Sequence, residues 1–258
     1  MRVPQHLVDR RREEVRGLIR RDGFLPVAEI CRQLGVSEAT TRRDLIAIEA
    51  NGHITRTYGG ALADYNSAFA SLDERSGLAR QAKARIAAKA AAQIPSSGTI
   101  FLDAGTTILA LARVLTYRRN LKHLVVVTNS LAAASVLAGT PGVELHMVGG
   151  MFLGRQAALM GERAIHALAS WSFDAAFLGA EGMDASGLSN SHDSIADFQK
   201  AVLRRSTRIH FCLDASKLGR STPHRVASWK RVTLVSDVPR RNLAALGIEL
   251  PPAAYIHA

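Results

Sequence analysis

Five stretches of this chain carry residue types that bind small anions. They read Asp103-Ala104-Gly105-Thr106-Thr107, Thr128-Asn129-Ser130, Gly149-Gly150, Gly179-Ala180-Glu181-Gly182 and Asp214-Ala215-Ser216-Lys217. Each follows a run of apolar residues. Gly105-Thr106-Thr107 opens an apolar-periodic segment, so free backbone N–H groups, the positive end of a helix dipole and two hydroxyls converge there. That suits a phosphate or a carboxylate. The segment is shorter than a Walker loop and lacks its Gly-Lys-Ser/Thr ending, which argues against a nucleoside triphosphate. Asp103 is an acceptor for sugar hydroxyls or for nearby backbone N–H groups. Lys217 is a cation able to neutralise an anionic ligand, or a plain surface lysine. Thr106 or Thr107 can equally serve only as a cap, and Gly149, Gly150 and Gly179 only as turn residues.

A second set of donors lies near the N-terminus, in VAEICRQLGVSEATTRRDLIAIEANGHITRTYGG. Val27, Ile30, Cys31 and Leu34 recur at helical spacing, one apolar stripe on a short helix. Gly35 supplies a left-handed end and Ser37 an N-cap. Leu45 and Ile48 turn inward on the next helix, while Thr40, Arg42 and Arg43 crowd its first turns. Residues 54–58 alternate as a strand carrying Arg56 and Tyr58, with a turn at Gly59-Gly60. A Gly turn followed by a donor-rich helix start and a basic hairpin fits the DNA major groove.

These groups need elements to hold them. A helix over residues 9–21 carries Val8, Val15, Leu18 and Ile19 inward, with Arg10, Arg11, Arg12, Arg16, Arg20 and Arg21 on its other faces, some of them able to touch phosphate and most forming a solvated basic face. Residues 1–62 thus make a three-helix winged domain, and 63–76 a linker. Residues 77–258 alternate helices with strands rich in Val, Ile, Leu and Phe, which gives an α/β domain with a mostly parallel sheet covered on both faces. Ligands of such sheets bind beyond the carboxyl ends of the strands, where the five polar stretches fall.

Composition sets outer bounds. The chain has 258 residues, 47% of them hydrophobic, and a net charge of +11. Residues 1–62 hold 11 Lys/Arg and 8 Asp/Glu, so the basic excess lies mainly in the second domain. Charge favours polyanions but does not locate the DNA site; the pattern does. Cys31 and Cys212 read as small buried hydrophobes, which excludes a disulfide scaffold and fits a reducing cytosol. The nine histidines form no cluster at metal-ligand spacing, and nothing points to a cofactor. No apolar run of membrane length appears, so the expected location is the cytoplasm.

VSEATTRRDL followed by GHITRTYGGA resembles the DeoR-type winged helix–turn–helix. DAGTT, VVTNS, a GG after a strand, FLGAEGMDASGLS and LDASKLG resemble, in order, the sensor domain of the same family. The resemblance covers nearly the whole chain. It implies a DNA-binding transcription regulator, most often a repressor of sugar or polyol catabolism whose operator binding is modulated by a phosphorylated metabolite. The sensor domain would resemble the phosphosugar isomerase fold. Ser37, Thr40, Arg42 and Arg43 would face DNA, with Thr41 counted beside them, and Arg56 and Tyr58 would belong to the wing. Asp103, Gly105, Thr106, Thr107, Thr128, Asn129, Gly149, Gly150, Gly179 and Lys217 would surround the effector; Ser130 and Glu181 join them as strand-end groups. Thr41 stands where the family usually has an apolar β-branched residue. The segment 189–195 replaces a usual Thr-rich, acidic stretch and is expected to border the effector.

The expected partners are double-stranded operator DNA, a phosphorylated sugar or polyol, and further copies of the chain in a dimer or tetramer. Helices over 78–93 and 192–205 are the expected contact between copies. The competing reading is a phosphosugar isomerase. Aldose–ketose chemistry needs a carboxylate base and an oxyanion partner, for which Glu181, Asp184 and Lys217 are available, but the Lys-Gly-Gly-rich loop of such enzymes is missing. A non-specific DNA-packaging protein would leave the second domain unexplained.

Overall fold

In a computed structural model, residues 4–22, 24–50, 54–57, 60–63, 72–154 and 156–258 are described. The chain divides into a unit up to Ser71 and a unit from Leu72.

In the first unit, α1 (Gln5–Asp22), β1 (Phe24–Pro26), α2 (Val27–Leu34) and α3 (Glu38–Glu49) are followed by β2 (Ile54–Thr57) and β3 (Gly60–Ala63). Val15, Ile19, Leu25, Val27, Ile30, Leu45, Ile48 and Ile54 form one buried core. Each such aliphatic side chain contributes roughly 1.5–3 kcal/mol on burial. Gly35 ends α2 at φ 63°, its N–H bonded to the Cys31 carbonyl. The wing is a sheet of three strands, β1-β3-β2, rather than a plain hairpin. Gly60 is a strand residue there, not a turn residue: a Cβ on it would lie 2.4 Å from the Leu25 carbonyl oxygen. Tyr58 and Gly59 lie outside the described residues.

The second unit begins with α4 (Leu72–Gly77) and α5 (Arg80–Ala91). Residues 72–76 were expected in the linker but form a helix packed against α6. Then follow β4 (Gly98–Leu102), α6 (Thr106–Thr116), β5 (Leu124–Thr128), α7 (Leu131–Leu137), β6 (Val143–Met147), β7 (Met151–Leu153), β8 (Ala158–Met160), α8 (Glu162–Ala167) and β9 (Phe173–Leu178). The chain ends with β10 (Gly182–Asp184), β11 (Gly187–Asn190), α9 (Asp193–Arg204), β12 (Ser206–Leu213), β13 (His224–Ala227), β14 (Thr233–Ser236), α10 (Arg240–Ala245) and β15 (Tyr255–His257).

Seven strands in the order β15-β14-β12-β9-β4-β5-β6 make the main sheet, and every pairing within it is parallel. Alternate residues face opposite sides. Ile100, Leu102, Val126, Phe177 and Cys212 pack with α5, α6 and α7. Phe101 points the other way, its ring 5.9 Å from Phe198 of α9. The β7–β8 hairpin and the small sheet β10-β11-β13 sit apart from these seven strands. Among the described residues, no helix is long and apolar enough to cross a membrane.

Candidate DNA-binding and effector sites

The first turns of α3 present the donors of the first unit. Ser37 is extended, and its Oγ accepts the Thr40 N–H at 3.3 Å. The two hydroxyls also share a bond of 2.9 Å, so Ser37 and Thr40 spend part of their capacity on the cap. Arg42 and Arg43 are exposed. Arg42 is steadied by Glu38 one turn back, with Nη2 at 2.5 Å from Oε1. Arg56 lies on β2.

Thr41 does not join this face. It is 1% exposed, and its hydroxyl meets the half-buried Cys31 thiol at 3.2 Å. Its place in the helical repeat turns it inward with Leu45 and Ile48, so it joins α2 to α3. Arg11 and Arg12 also depart from the expected solvated face. Their Nε atoms hold the two oxygens of buried Asp44, at 2.6 and 3.0 Å. The bond to Asp44 raises the Arg11 pKa above its ordinary value against the cost of burial.

In the second unit, the polar groups follow the carboxyl ends of β4, β5, β6, β9 and β12. Neighbouring strands lie about 4.8 Å apart. The ends of β4 and β12, with β9 between them, are therefore separated by about 10 Å, the span of a small sugar phosphate. Gly105 precedes α6 at φ 138°, and among the described residues no side chain caps the helix. The first ladder bond runs from the Leu109 N–H to the Gly105 carbonyl at 2.8 Å, which leaves the preceding N–H groups of the helix start without an intrahelical partner. A Cβ on Gly105 would meet nothing within 4 Å, so the space before the helix is open. Thr106 is half-buried and Thr107 buried.

Across the mouth, Lys217 follows β12 in a short turn whose Asp214 accepts the Ser216 N–H at 3.0 Å. Its ammonium makes no hydrogen bond or contact ion pair among the described residues. Burial pushes its pKa down, Asp214 and Glu181 oppose this, and Arg220 and Arg75 add to it. A bound anion would relieve that cost. Glu181 is half-buried, accepts a short bond from the Ser191 hydroxyl, and donates its N–H to Asn190 Oδ1 at 3.0 Å.

Several strand-end candidates turn out to be framework. Thr128 is fully buried; its hydroxyl donates to the Leu102 carbonyl at 2.6 Å and accepts the Ser130 N–H at 3.0 Å. Ser130 caps α7 through the Ala133 N–H at 3.1 Å. These hydroxyls lock β5 to β4 and to α7. Gly150, at φ 132°, is needed because a Cβ would lie 2.6 Å from the Met160 carbonyl oxygen; Gly149 has open space. Gly179 offers its carbonyl to Gln199.

Asp103 is 2% exposed and Asn129 fully enclosed. The Asp103 carboxylate accepts Gln199 Nε2 at 2.6 Å and the Ala104 N–H at 2.8 Å. Burial pushes its pKa up to about 6 against those bonds. The geometry thus favours the framework alternative for Asp103. Asn129 Oδ1 has no partner among the described residues.

The sequence reading passed over Gln199, which joins Asp103, the Gly179 carbonyl and the Asn190 amide, the last at 2.6 Å. No local motif marks it. The expected border segment 189–195 spends Ser189, Asn190 and Ser191 on such internal bonds. Lys83 was also passed over, although it stands three and four positions before inward-facing Ile86 and Ala87. Arg75 and Lys217 lie within electrostatic reach of it. Glu181 and Asp184, the acids an isomerase would use, are engaged, Asp184 by the Ser186 N–H at 2.8 Å and by its hydroxyl. Among the described residues, no three His, Cys, Asp or Glu side chains converge as a metal site.

Comparison with known proteins gives a consistent result. Residues 11–66 match the DeoR-like helix-turn-helix domain. Residues 78–238 match the DeoR C terminal sensor domain. The chain is 31% identical over 251 residues to a putative aga operon transcriptional repressor of Escherichia coli O157:H7, covering 93% of this chain and 92% of that protein. It is 30% identical over 230 residues to the glycerol-3-phosphate regulon repressor of Escherichia coli strain K12, covering 86% and 88%. Ribose 5-phosphate isomerase A from Methanocaldococcus jannaschii superposes with a TM-score of 0.41 at 17% identity, over 60% of this chain and 58% of that one, a likeness too low to bear on function. A helix–turn–helix with an exposed Arg42-Arg43 pair, joined to a parallel sheet with an uncapped helix start beyond β4, is thus matched along its length by one family, and the chain belongs to the DeoR family of DNA-binding transcription regulators rather than to the isomerases.

Proposed function

We propose that this regulator represses an operon of sugar or polyol catabolism and that a phosphorylated sugar or polyol, bound beyond the strand ends, changes its affinity for operator DNA. The observation that carries the effector reading is the open start of α6 at Gly105-Thr106-Thr107, across the mouth from Lys217, whose ammonium has no contact ion pair among the described residues. Helix N–H groups and a cation favour a phosphate, and charge-assisted bonds of this kind are roughly twice as strong as neutral ones. The named relatives, repressors of an aga operon and of a glycerol-3-phosphate regulon, agree with this class of effector.

For DNA, Ser37, Thr40, Arg42 and Arg43 at the start of α3 form the reading face, with Arg56 and Tyr58 as the further DNA contacts. The working form is a symmetric dimer or tetramer in the cytoplasm, since paired half-sites need paired readers. We place the contact between copies away from α5 and α9, the helices expected to supply it. Ile86, Ile195 and Phe198 of those helices are buried within the second unit, which leaves Leu78, at the start of the expected 78–93 helix, as an exposed large apolar residue there. Exposed Met147, Met151 and Phe152, on the edge strand β6 and on β7, offer the better surface.

Thermal-shift screening of a panel of sugar and polyol phosphates tests the effector reading. A ligand at about 100 times its Kd adds roughly 2.7 kcal/mol of stability, and the unphosphorylated sugar should add almost none. Equal stabilisation by both forms would overturn the phosphate assignment.

A further inference from the structure

Lys83 is buried on α5, an unusual place for a lysine. Its Nζ donates to two carbonyls at the end of α4, those of Arg75 and Leu78, both at 2.6 Å. Two of its three donors are thus spent on the corner between α4 and α5. That corner also holds Ala79 at φ 49° and ψ 36°, a left-handed conformation an alanine adopts only when its surroundings force it. The ammonium therefore clamps a corner that would otherwise relax.

The same ammonium lies within electrostatic reach of Asp214 and Lys217, beyond the end of β12. Burial pushes its pKa down, Asp214 opposes this, and Lys217 and Arg75 add to it. Neighbouring Arg85 of α5 pairs with Asp237 at 3.5 Å, and Asp237 in turn accepts the Ala215 N–H at 2.9 Å. Helix α5 is thus fastened to the loop that carries Lys217. Helix α4 lies where the segment from the DNA-binding unit joins the second unit.

We propose that Lys83 is the residue through which an anion bound beside Lys217 tightens α4. This rests on the anion-site reading given above. An anion near Lys217 offsets the repulsion between the two ammonium groups and so holds Lys83 on the Arg75 and Leu78 carbonyls, while the Arg85–Asp237–Ala215 link ties α5 to the same loop. Anion binding is thereby converted into order at the point where the chain leaves for the DNA-binding unit. Lys83 is a positioning residue and need not touch the effector.

Hydrogen–deuterium exchange of residues 72–79 in the full-length protein tests this, with inorganic phosphate and glycerol 3-phosphate as probes against chloride at matched ionic strength. In the wild type, both probes should raise the melting temperature and slow exchange in α4 several-fold. Lys83→Met should keep the melting shift and lose the slowing; Lys217→Met should lose both. Equal slowing in Lys83→Met overturns the proposal, as does a wild type that is stabilised without slower exchange in α4. Absence of any melting shift in the wild type overturns the anion site itself, and the proposal with it. Ala79→Gly covers the case in which Lys83→Met fails to fold. Its corner no longer needs the clamp, so the effect of phosphate on α4 should shrink, and an undiminished effect would count against Lys83.

Discussion

His210 and Asp103, both buried in the second unit, pull stability in opposite directions as pH changes. His210 stacks on Phe177 at 4.8 Å, and neither ring nitrogen has a partner among the described residues. Burial, aided by Arg208, pushes its pKa from 6.5 to about 4. The unfolded chain therefore takes up this proton first, and stability is lost as pH falls from about 6.5 towards 4, by roughly 3 kcal/mol. Asp103 is raised from 3.8 to about 6. Here the folded chain binds the proton first, so stability is lost as pH rises through the same window, by a similar amount. Urea unfolding between pH 4.5 and 6.5 separates them. His210→Phe should leave a protein that gains stability on acidification, and Asp103→Asn one that loses it. Identical slopes in both variants would refute these environments.

At the same scale, the exposed arginines of α3 give a direct DNA test. Replacing Arg42 or Arg43 by Ala should cost about 1–3 kcal/mol at a guanine contact. If the contact is to phosphate, it should shrink the salt slope of binding by about 1 instead. Unchanged operator affinity in the double variant would remove α3 from the interface. The placement of Arg42, Arg43, Gly105 and Lys217 at a helix or strand end was legible in the sequence because such placement is local. Thr41, Thr128 and Ser130 were misread because a hydroxyl looks the same in sequence whether it faces a ligand or satisfies a buried backbone group.

Among the elements, the long ones followed from periodicity. The stripes of α2, α3, α5 and α9 and the apolar runs of β4, β5, β9 and β12 all appear where spacing places them. Those that escaped were short or paired at a distance. β1 and β15 have three residues each, too few to show alternation, and β11 meets β13 only after α9 and β12 intervene. The Asp44 clamp escaped for the same reason, since Arg11 and Asp44 stand 33 positions apart. Its loss is measurable. Asp44→Ala should cost the first unit about 1–3 kcal/mol, because the arginines it holds remain partly exposed. Both tryptophans, Trp171 and Trp229, lie in the second unit. Urea unfolding followed by helical signal should therefore weaken, while the tryptophan midpoint stays in place. A shift of both together would mean that the units do not unfold separately.

For the whole molecule, assembly and regulation are the remaining expectations. Charged substitutions at the exposed apolar edge, Met151→Asp with Phe152→Asp, should reduce the assembly measured by light scattering and weaken operator binding while leaving the fold intact. A wild type that is monomeric at micromolar concentration with full operator affinity would refute the paired reader. Paired copies were an expectation from the sequence, but their contact surface could not be placed from periodicity, because an interface between copies leaves no periodic mark distinct from a core.

Operator affinity measured with and without a saturating sugar phosphate, in the wild type, Lys217→Ala and Thr106→Val, tests the central claim most directly. Couplings between two sites are typically about 1–3 kcal/mol, and by reciprocity operator DNA must change effector affinity by the same factor. The wild type should respond within that range. Both variants should bind the operator as the wild type does and ignore the sugar phosphate, because the residues proposed to read DNA lie in the other unit. Variants that respond like the wild type would place the effector elsewhere, and variants that no longer bind DNA would make Lys217 and Thr106 structural residues rather than effector contacts.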